Sequence, residues 1–199
     1  MVLTILVVTR YGAHAAPFLF AFDEFAEDVD AELVEYDGTH ARCIEDVLDA
    51  AISECEDGYI LRLDDDELPS DEMRWWIRKR VYECDDHWAF PRLNLYPDAD
   101  HFITNPPLWP DLQTRLSVKA KAGGRTGIHA GSPYGTGQVA PCAIEHHKFL
   151  VRSVAARRQL VADYESIQTG AGVFFSPFSV PEDFQVQTAP RSEAIRVES

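Results

Sequence analysis

The period of the apolar positions changes several times along the chain, and the changes mark out its elements. Leu3 to Thr9 is continuously apolar and rich in β-branched residues, the pattern of a strand buried on both faces, and a helix is predicted from Ala16 to Ala26. A second strand, Glu32 to Tyr36, stops at the turn signal Asp37-Gly38. Thr39 is then placed to cap a helix with the apolar stripe Ile44, Val47, Leu48, Ala51, Ile52 and Cys55. Tyr59 to Leu63 gives a third strand. Pro69-Ser70-Asp71-Glu72 then reads as the capped start of a further helix that buries Met73, Trp76, Ile77, Val81 and Cys84, with its basic residues late, as the helix dipole prefers. Strand and helix thus alternate three times, which predicts an α/β domain with a mostly parallel central sheet flanked by helices.

From His87 the segments shorten. Trp88 to Tyr96 and Leu112 to Lys119 alternate as strands do, separated by the proline-rich loop around Trp109, and they predict a mixed edge to the sheet. The segment from Gly123 to Pro141 is rich in Gly, Ser, Thr and Pro, a composition that suits an active-site lid and equally an ordinary surface loop. A last helix is expected from Val151 to Ser166. Residues 1–180 read as one domain with one core, since 199 residues are short for two, and 181–199 as a weakly periodic C-terminal tail, a candidate for disorder.

Charge narrows the function. With 33 Asp plus Glu against 18 Lys plus Arg the formal net charge is -15, so free nucleic acid is a disfavoured partner. The basic clusters Arg74 to Arg80 and Arg152 to Arg158 lie on helical patterns and read as solvated faces. The four cysteines form no C-x-x-C pair, so they are expected to be reduced, buried thiols. The first apolar run is too short to span a bilayer and has neither a basic flank nor a small-residue cleavage site, which predicts a cytoplasmic protein.

Against that background Asp64-Asp65-Asp66-Glu67 stands at the carboxyl end of the third strand, where ligands of parallel sheets gather. One reading is an acidic turn leading into a helix. A calcium loop is a poor fit, because the run lacks alternating oxygen ligands and a turn glycine. The sharper reading is a metal and diphosphate site: two carboxylates one residue apart can hold Mg²⁺ or Mn²⁺ and leave positions open for phosphate oxygens.

The block ARCIEDVLDAAISECEDGYILRLDDDELPS resembles the part of family 2 glycosyltransferases in which an Arg-bearing helix precedes a strand and an Asp-x-Asp-Glu motif. RLNLY, PDLQTRL, GIHA, and IEHH before a helix ending ADYES are similar in order to later elements of short bacterial and phage-like members, so the resemblance spans about residues 3 to 167. It implies a single A-type glycosyltransferase domain that moves a sugar with inversion from a nucleotide donor, a UDP-sugar for preference, to a hydroxyl of a glycan, lipid-linked sugar, protein or modified DNA base. Carried over by position, Asp64 would lie near the donor ribose, phosphate and metal, Asp66 would bind Mn²⁺ or Mg²⁺, and Asp65 would point away. Thr9, Arg10 and Tyr11 match the end of the first strand, Asp37 the acid that meets the nucleobase, and Arg42 the diphosphate contact. Asp111 is the first choice for general base, His129 the second and Glu145 the third, although the Glu expected beside His129 is replaced by Ala130. His129 is also the best candidate for a third metal ligand. Adjacent strand residues face opposite ways, so only one of His146 and His147 can reach the site, and Trp109 is a candidate sugar platform. Two alternatives stand beside this: a nucleotidyltransferase, for which TRYGAHAAP is a poor phosphate loop, and a non-catalytic module that binds sugar nucleotides or divalent ions.

Overall fold

The computed structural model describes residues 1–10, 16–84, 87–123 and 138–194. Its first strand, β1 (Val2–Thr9), is buried on both faces as its apolar run requires: Leu3, Ile5 and Val7 enter one core and Leu6 and Val8 another. Helix α1 (Ala16–Val29) covers the first face with Phe22 and Phe25, and α2 (Leu48–Glu54) covers the second with Leu48, Ala51 and Ile52. Each buried Leu, Ile or Phe of these layers contributes roughly 1.5–3 kcal/mol, so the two layers fix the centre of the sheet. β2 (Glu32–Asp37) and β3 (Gly58–Asp64) lie parallel to β1 on either side of it. Glycine is needed at position 58, where a Cβ would sit 2.2 Å from the Val2 carbonyl oxygen of the paired strand.

β4 (Glu67–Pro69) follows β3 after a two-residue turn, and α3 (Asp71–Arg78) starts at Ser70, whose Oγ accepts the Met73 N–H at 3.2 Å. Then come β5 (His87–Asn94), β6 (His101–Ile103), β7 (Asp111–Val118), β8 (Gln138–Val139) and β9 (Ile144–His146). Helices α4 (Lys148–Val151), α5 (Val154–Ile167) and α6 (Ala171–Phe175) precede β10 (Thr188–Pro190). The main sheet has the order β2-β1-β3-β7-β5-β9-β4, with β8 beside β5, and β10 pairs with β6 in a separate ribbon.

The fold class is therefore mixed α/β, and four details depart from the pattern-based reading. The mixed character is not confined to an edge, since β7 runs antiparallel to both β3 and β5 in the middle of the sheet. Thr39 does not cap a helix. Its N–H and hydroxyl both donate to Asp37 Oδ1, at 2.9 and 2.6 Å, and α2 begins only at Leu48 after a 3₁₀ turn over Ile44–Asp46. The predicted last helix is broken at Arg152 and Ser153 into α4 and α5, where Ser153 Oγ accepts the Ala156 N–H. Residues 181–194 of the tail are packed: β10 pairs with β6, and Arg191 is ion-paired with Glu145.

β1 and β3 meet at a switch point. From β1 the chain moves outward to β2 and then crosses back to place β3 on the other side of β1, so the loops after β1 and β3 diverge and leave a crevice at the strands' carboxyl ends. The register Val8↔Asp64 and Thr9↔Asp37 brings the acid run level with Arg10.

Candidate functional site

A cavity of about 340 Å³ opens at this crevice. Its walls come from β1 (Val8, Arg10), the segment before α2 (Cys43, Ile44, Glu45), β3 and its turn (Arg62, Asp64 to Asp66), and β5 and β7 (Arg92, Asp111 to Arg115). The far side is closed by His146, Lys148, Arg152 and an apolar group of Leu160, Tyr164, Phe174, Phe175 and Phe178. That apolar wall is held by Glu165 on α5, whose carboxylate accepts the N–H groups of Gly170 and Gly172 at the start of α6, each at 2.9 Å.

The four acids share their basic partners: Arg115 joins Asp64 to Glu67, and Arg152 reaches both Asp66 and, at 3.5 Å, Asp65 Oδ1. Asp64 Oδ2 and Glu67 Oε1 both accept from Arg115 Nη2 at 2.6 Å, and Glu67 Oε1 also accepts from Arg92 Nη1 at 3.1 Å. Asp65 Oδ2 accepts the Arg10 backbone N–H at 2.9 Å. Asp66 Oδ2 accepts from Arg152 Nη2 at 2.6 Å, while His146 Nε2 lies 3.4 Å from Asp66 Oδ1. The run is thus the counterpart of a basic cluster delivered by β5, β7 and α4. Basic residues inside strands were the overlooked signal, because a charge on the inward face of an alternating segment requires a buried partner.

Burial and charge set the ionisation of these groups. Burial raises Asp64 and Glu67, and their mutual repulsion adds to it for Glu67. Asp65 is pushed up to about 6 by burial and by the neighbouring Asp66. Asp66 goes the other way: burial would raise it, but Arg152 and His146 together hold it well below the usual carboxylate range. Burial lowers His146 to about 4, so it is neutral at pH 7, and lowers Lys148 to about 7 against the pull of Asp66.

The sequence candidates separate into three groups. Arg10, Asp64, Asp66 and Asp111 line the cavity, and so does Asp65, which was expected to point away: β3 ends at Asp64, so strand alternation no longer governs the next side chain. Thr9, Asp37 and Arg42 lie outside the cavity lining. Thr9 Oγ1 donates to the Tyr36 carbonyl, Asp37 is tied to Thr39, and Arg42 is exposed and pairs with Asp46 at 3.3 Å. Tyr11 and His129 lie outside the described residues, as does most of the predicted lid from Gly123 to Pro141. Of the adjacent histidines His146 lines the cavity, while His147 packs edge-on against Phe18. Trp109 packs against Phe102, away from the cavity, and Glu145 is engaged by Arg191 and His147. Arg152 and Arg157, expected on a solvated face, are buried; Arg157 is paired with Glu182 at 2.6 Å.

Two chemical properties follow. Asp111 is clamped: Oδ2 accepts from Arg92 Nε and Nη2 at 2.8 and 2.6 Å and Oδ1 from Gln113 at 2.7 Å, and Arg92 outweighs burial to hold its carboxyl below the ordinary value. Such a carboxylate accepts protons poorly. Nor do the residues fit a divalent ion well. Among the described residues no three His, Cys, Asp or Glu side chains come together to hold a metal, and one carboxylate oxygen of each of Asp64 and Asp66 already faces a guanidinium group at 2.6 Å.

Compared with known protein families and with curated proteins, the chain matches none. Among the described residues no helix is long and apolar enough to cross a membrane.

Proposed function

We propose that this protein is a glycosyltransferase that takes a sugar from a nucleoside-diphosphate donor held in the cavity at the ends of β1 and β3 and transfers it, with inversion, to a hydroxyl acceptor. One observation carries the reading: six of the chain's 18 Lys and Arg line a single cavity, beside five acids, in a chain of net charge -15. Arg115, Lys148 and Arg152 are buried there and Arg62 and Arg92 half-buried; the acid run and Asp111 pair with the four arginines, while Arg115 Nε and Nη1, with no acceptor among the described residues, and the Lys148 ammonium are left to meet an anion. The position at a switch point suits a nucleotide, and the wall of Tyr164, Phe174 and Phe175 suits the apolar face of a sugar or acceptor. The A-type fold implied by the resemblance is part of this proposal.

In the reaction the acceptor oxygen attacks the anomeric carbon, the bond from that carbon to the diphosphate oxygen breaks, and the hydroxyl proton passes to a protein base. The base role moves from Asp111 to Asp65, which lies on the cavity wall with its carboxyl pushed up to about 6. Charge that develops on the leaving diphosphate is met by Arg115, Arg152 and Lys148, buried side chains that line the cavity.

Calorimetric titration with UDP, GDP, their sugars, the free nucleosides and the triphosphates tests the assignment. Nucleoside diphosphates and their sugars are expected to bind at one site and the nucleosides to bind far more weakly. Release of pyrophosphate from a triphosphate would favour the nucleotidyltransferase instead, and saturable binding of donor sugars with no turnover would favour the binding module.

A further inference from the structure

The acid run occupies the place where the resemblance puts a divalent ion, yet protein cations already stand there. Arg152 Nη2 lies 2.6 Å from Asp66 Oδ2, and Arg115 Nη2 lies 2.6 Å from Asp64 Oδ2. A divalent ion held by those two oxygens at about 2.0–2.6 Å would have to displace both guanidinium groups, and the second oxygen of Asp64, Oδ1, accepts no hydrogen bond among the described residues. It would also add two charges to a cavity whose lining has more basic than acidic side chains.

Two further features point to an anion as the missing partner. The Arg115 side chain is 1 % exposed, and among the described residues its Nε and Nη1 have no hydrogen-bond acceptor. Buried donors of this kind are costly unless something accepts from them. The Lys148 ammonium is held only by neutral groups, the Phe178 carbonyl and Ser179 Oγ, each at 3.0 Å, and among the described residues no carboxylate reaches it at ion-pair distance.

We infer that the site neutralises a diphosphate with its own side chains, Arg115, Lys148 and Arg152, and binds it without a divalent ion. This rests on the reading of the ligand as a nucleoside diphosphate. In this arrangement Asp66 holds Arg152 at the cavity wall and gives it up, wholly or in part, to the phosphate oxygens of the donor. The role of the Asp-x-Asp run is thereby reversed: it orients cations instead of collecting one.

The test is calorimetric titration of inorganic pyrophosphate and of UDP into the full chain, in EDTA and then with Mn²⁺ or Mg²⁺. The dissociation constants are expected to agree within about threefold in the two conditions, and Arg152→Gln is expected to weaken binding in EDTA by at least about tenfold. Asp66→Asn, which removes the charge of the nearer of Arg152's two carboxylate partners and leaves Asp65 Oδ1 at 3.5 Å, is expected to leave binding intact or tighten it. Binding that appears only with the metal, or that Asp66→Asn abolishes in a folded protein, overturns the inference and leaves the nucleotide reading standing. No binding of either ligand in any condition overturns both. Should Asp66→Asn fail to fold, the comparison of EDTA with Mn²⁺ on the unaltered chain decides alone.

Discussion

Replacing Arg115 with Met removes the hinge of the buried charge cluster. A single nitrogen, Nη2, donates at 2.6 Å to both Asp64 and Glu67, and the side chains of Arg115 and Glu67 are 1 % and 0 % exposed. Without it, among the described residues, the cations left within ion-pair distance of these two carboxylates are Arg92, 3.1 Å from Glu67, and Arg62, 3.8 Å from Asp64, while Glu67 Oε2 still accepts the Asp64 backbone N–H at 3.1 Å. A pair of unit charges 4 Å apart is worth about 4 kcal/mol at an effective dielectric of ~20, and removing one partner of a buried pair costs about 3–5 kcal/mol. Arg115→Met should therefore lose about 3–5 kcal/mol of stability, a large share of the ~5–15 kcal/mol typical of a domain. Urea unfolding followed by the fluorescence of buried Trp76 and Trp88 measures it. The loss should depend on pH with a defined sign. Asp64 and Glu67 already have raised values, and losing Arg115 raises them further, so the folded variant is favoured at low pH and penalised as pH rises. The penalty should be smaller at pH 5 than at pH 8, and Glu67→Gln in the same chain should recover part of it. A loss below about 1 kcal/mol, or effects of the two substitutions that simply add, would refute the cluster's energetic role.

Three more outcomes are expected. Asp65→Asn should lower sugar transfer by about 10²–10⁴-fold while nucleotide affinity changes only severalfold, as steady-state kinetics and calorimetry would read, and equal losses in both would remove Asp65 from the base role. Nucleotide affinity should fall as pH rises from 6 to 8, because a bound anion favours the protonated forms of Asp65, near 6, and Lys148, near 7; titration in buffers of different ionisation enthalpy, corrected for the ligand's own ionisation, should show net proton uptake. Phe174, 66 % exposed at the cavity rim, should tolerate Ser within about 0.5 kcal/mol of stability, while acceptor KM rises and donor affinity holds.

The first half of the fold was legible because β1 and β3 are dominated by apolar residues, broken in β3 at Arg62, and because α3 buries Met73, Trp76 and Ile77 as expected, although it ends at Arg78 and leaves Val81 exposed. Strand direction was not. Leu112 to Lys119 alternates equally well in either orientation, so nothing local told that β7 would be inserted, reversed, between β3 and β5. Thr39 looked like a cap because a helical stripe followed, but the Asp37 carboxylate competed for its N–H and hydroxyl and won. At the site, Asp64 and Asp66 stood out by their position at a strand end, whereas their partners did not. A basic residue on a helical pattern reads the same whether it faces water or a buried acid, which is why Arg152 was misread as solvated. Arg92 and Arg115 offered a better cue, as charges inside strands, and in the fold they are the residues that tie the acids together.

The central claim is that the cavity holds a nucleotide sugar and breaks its bond to the diphosphate. The most direct measurement is mass-spectrometric detection of nucleoside diphosphate and freed or transferred sugar from a panel of nucleotide sugars incubated with the full chain, with Asp65→Asn and Arg115→Lys in parallel. The account predicts that at least one donor is turned over, that its nucleoside diphosphate and sugar appear in equal amounts, and that both variants are much slower. Absence of any diphosphate release from donors shown to bind, or unchanged release in both variants, would contradict it.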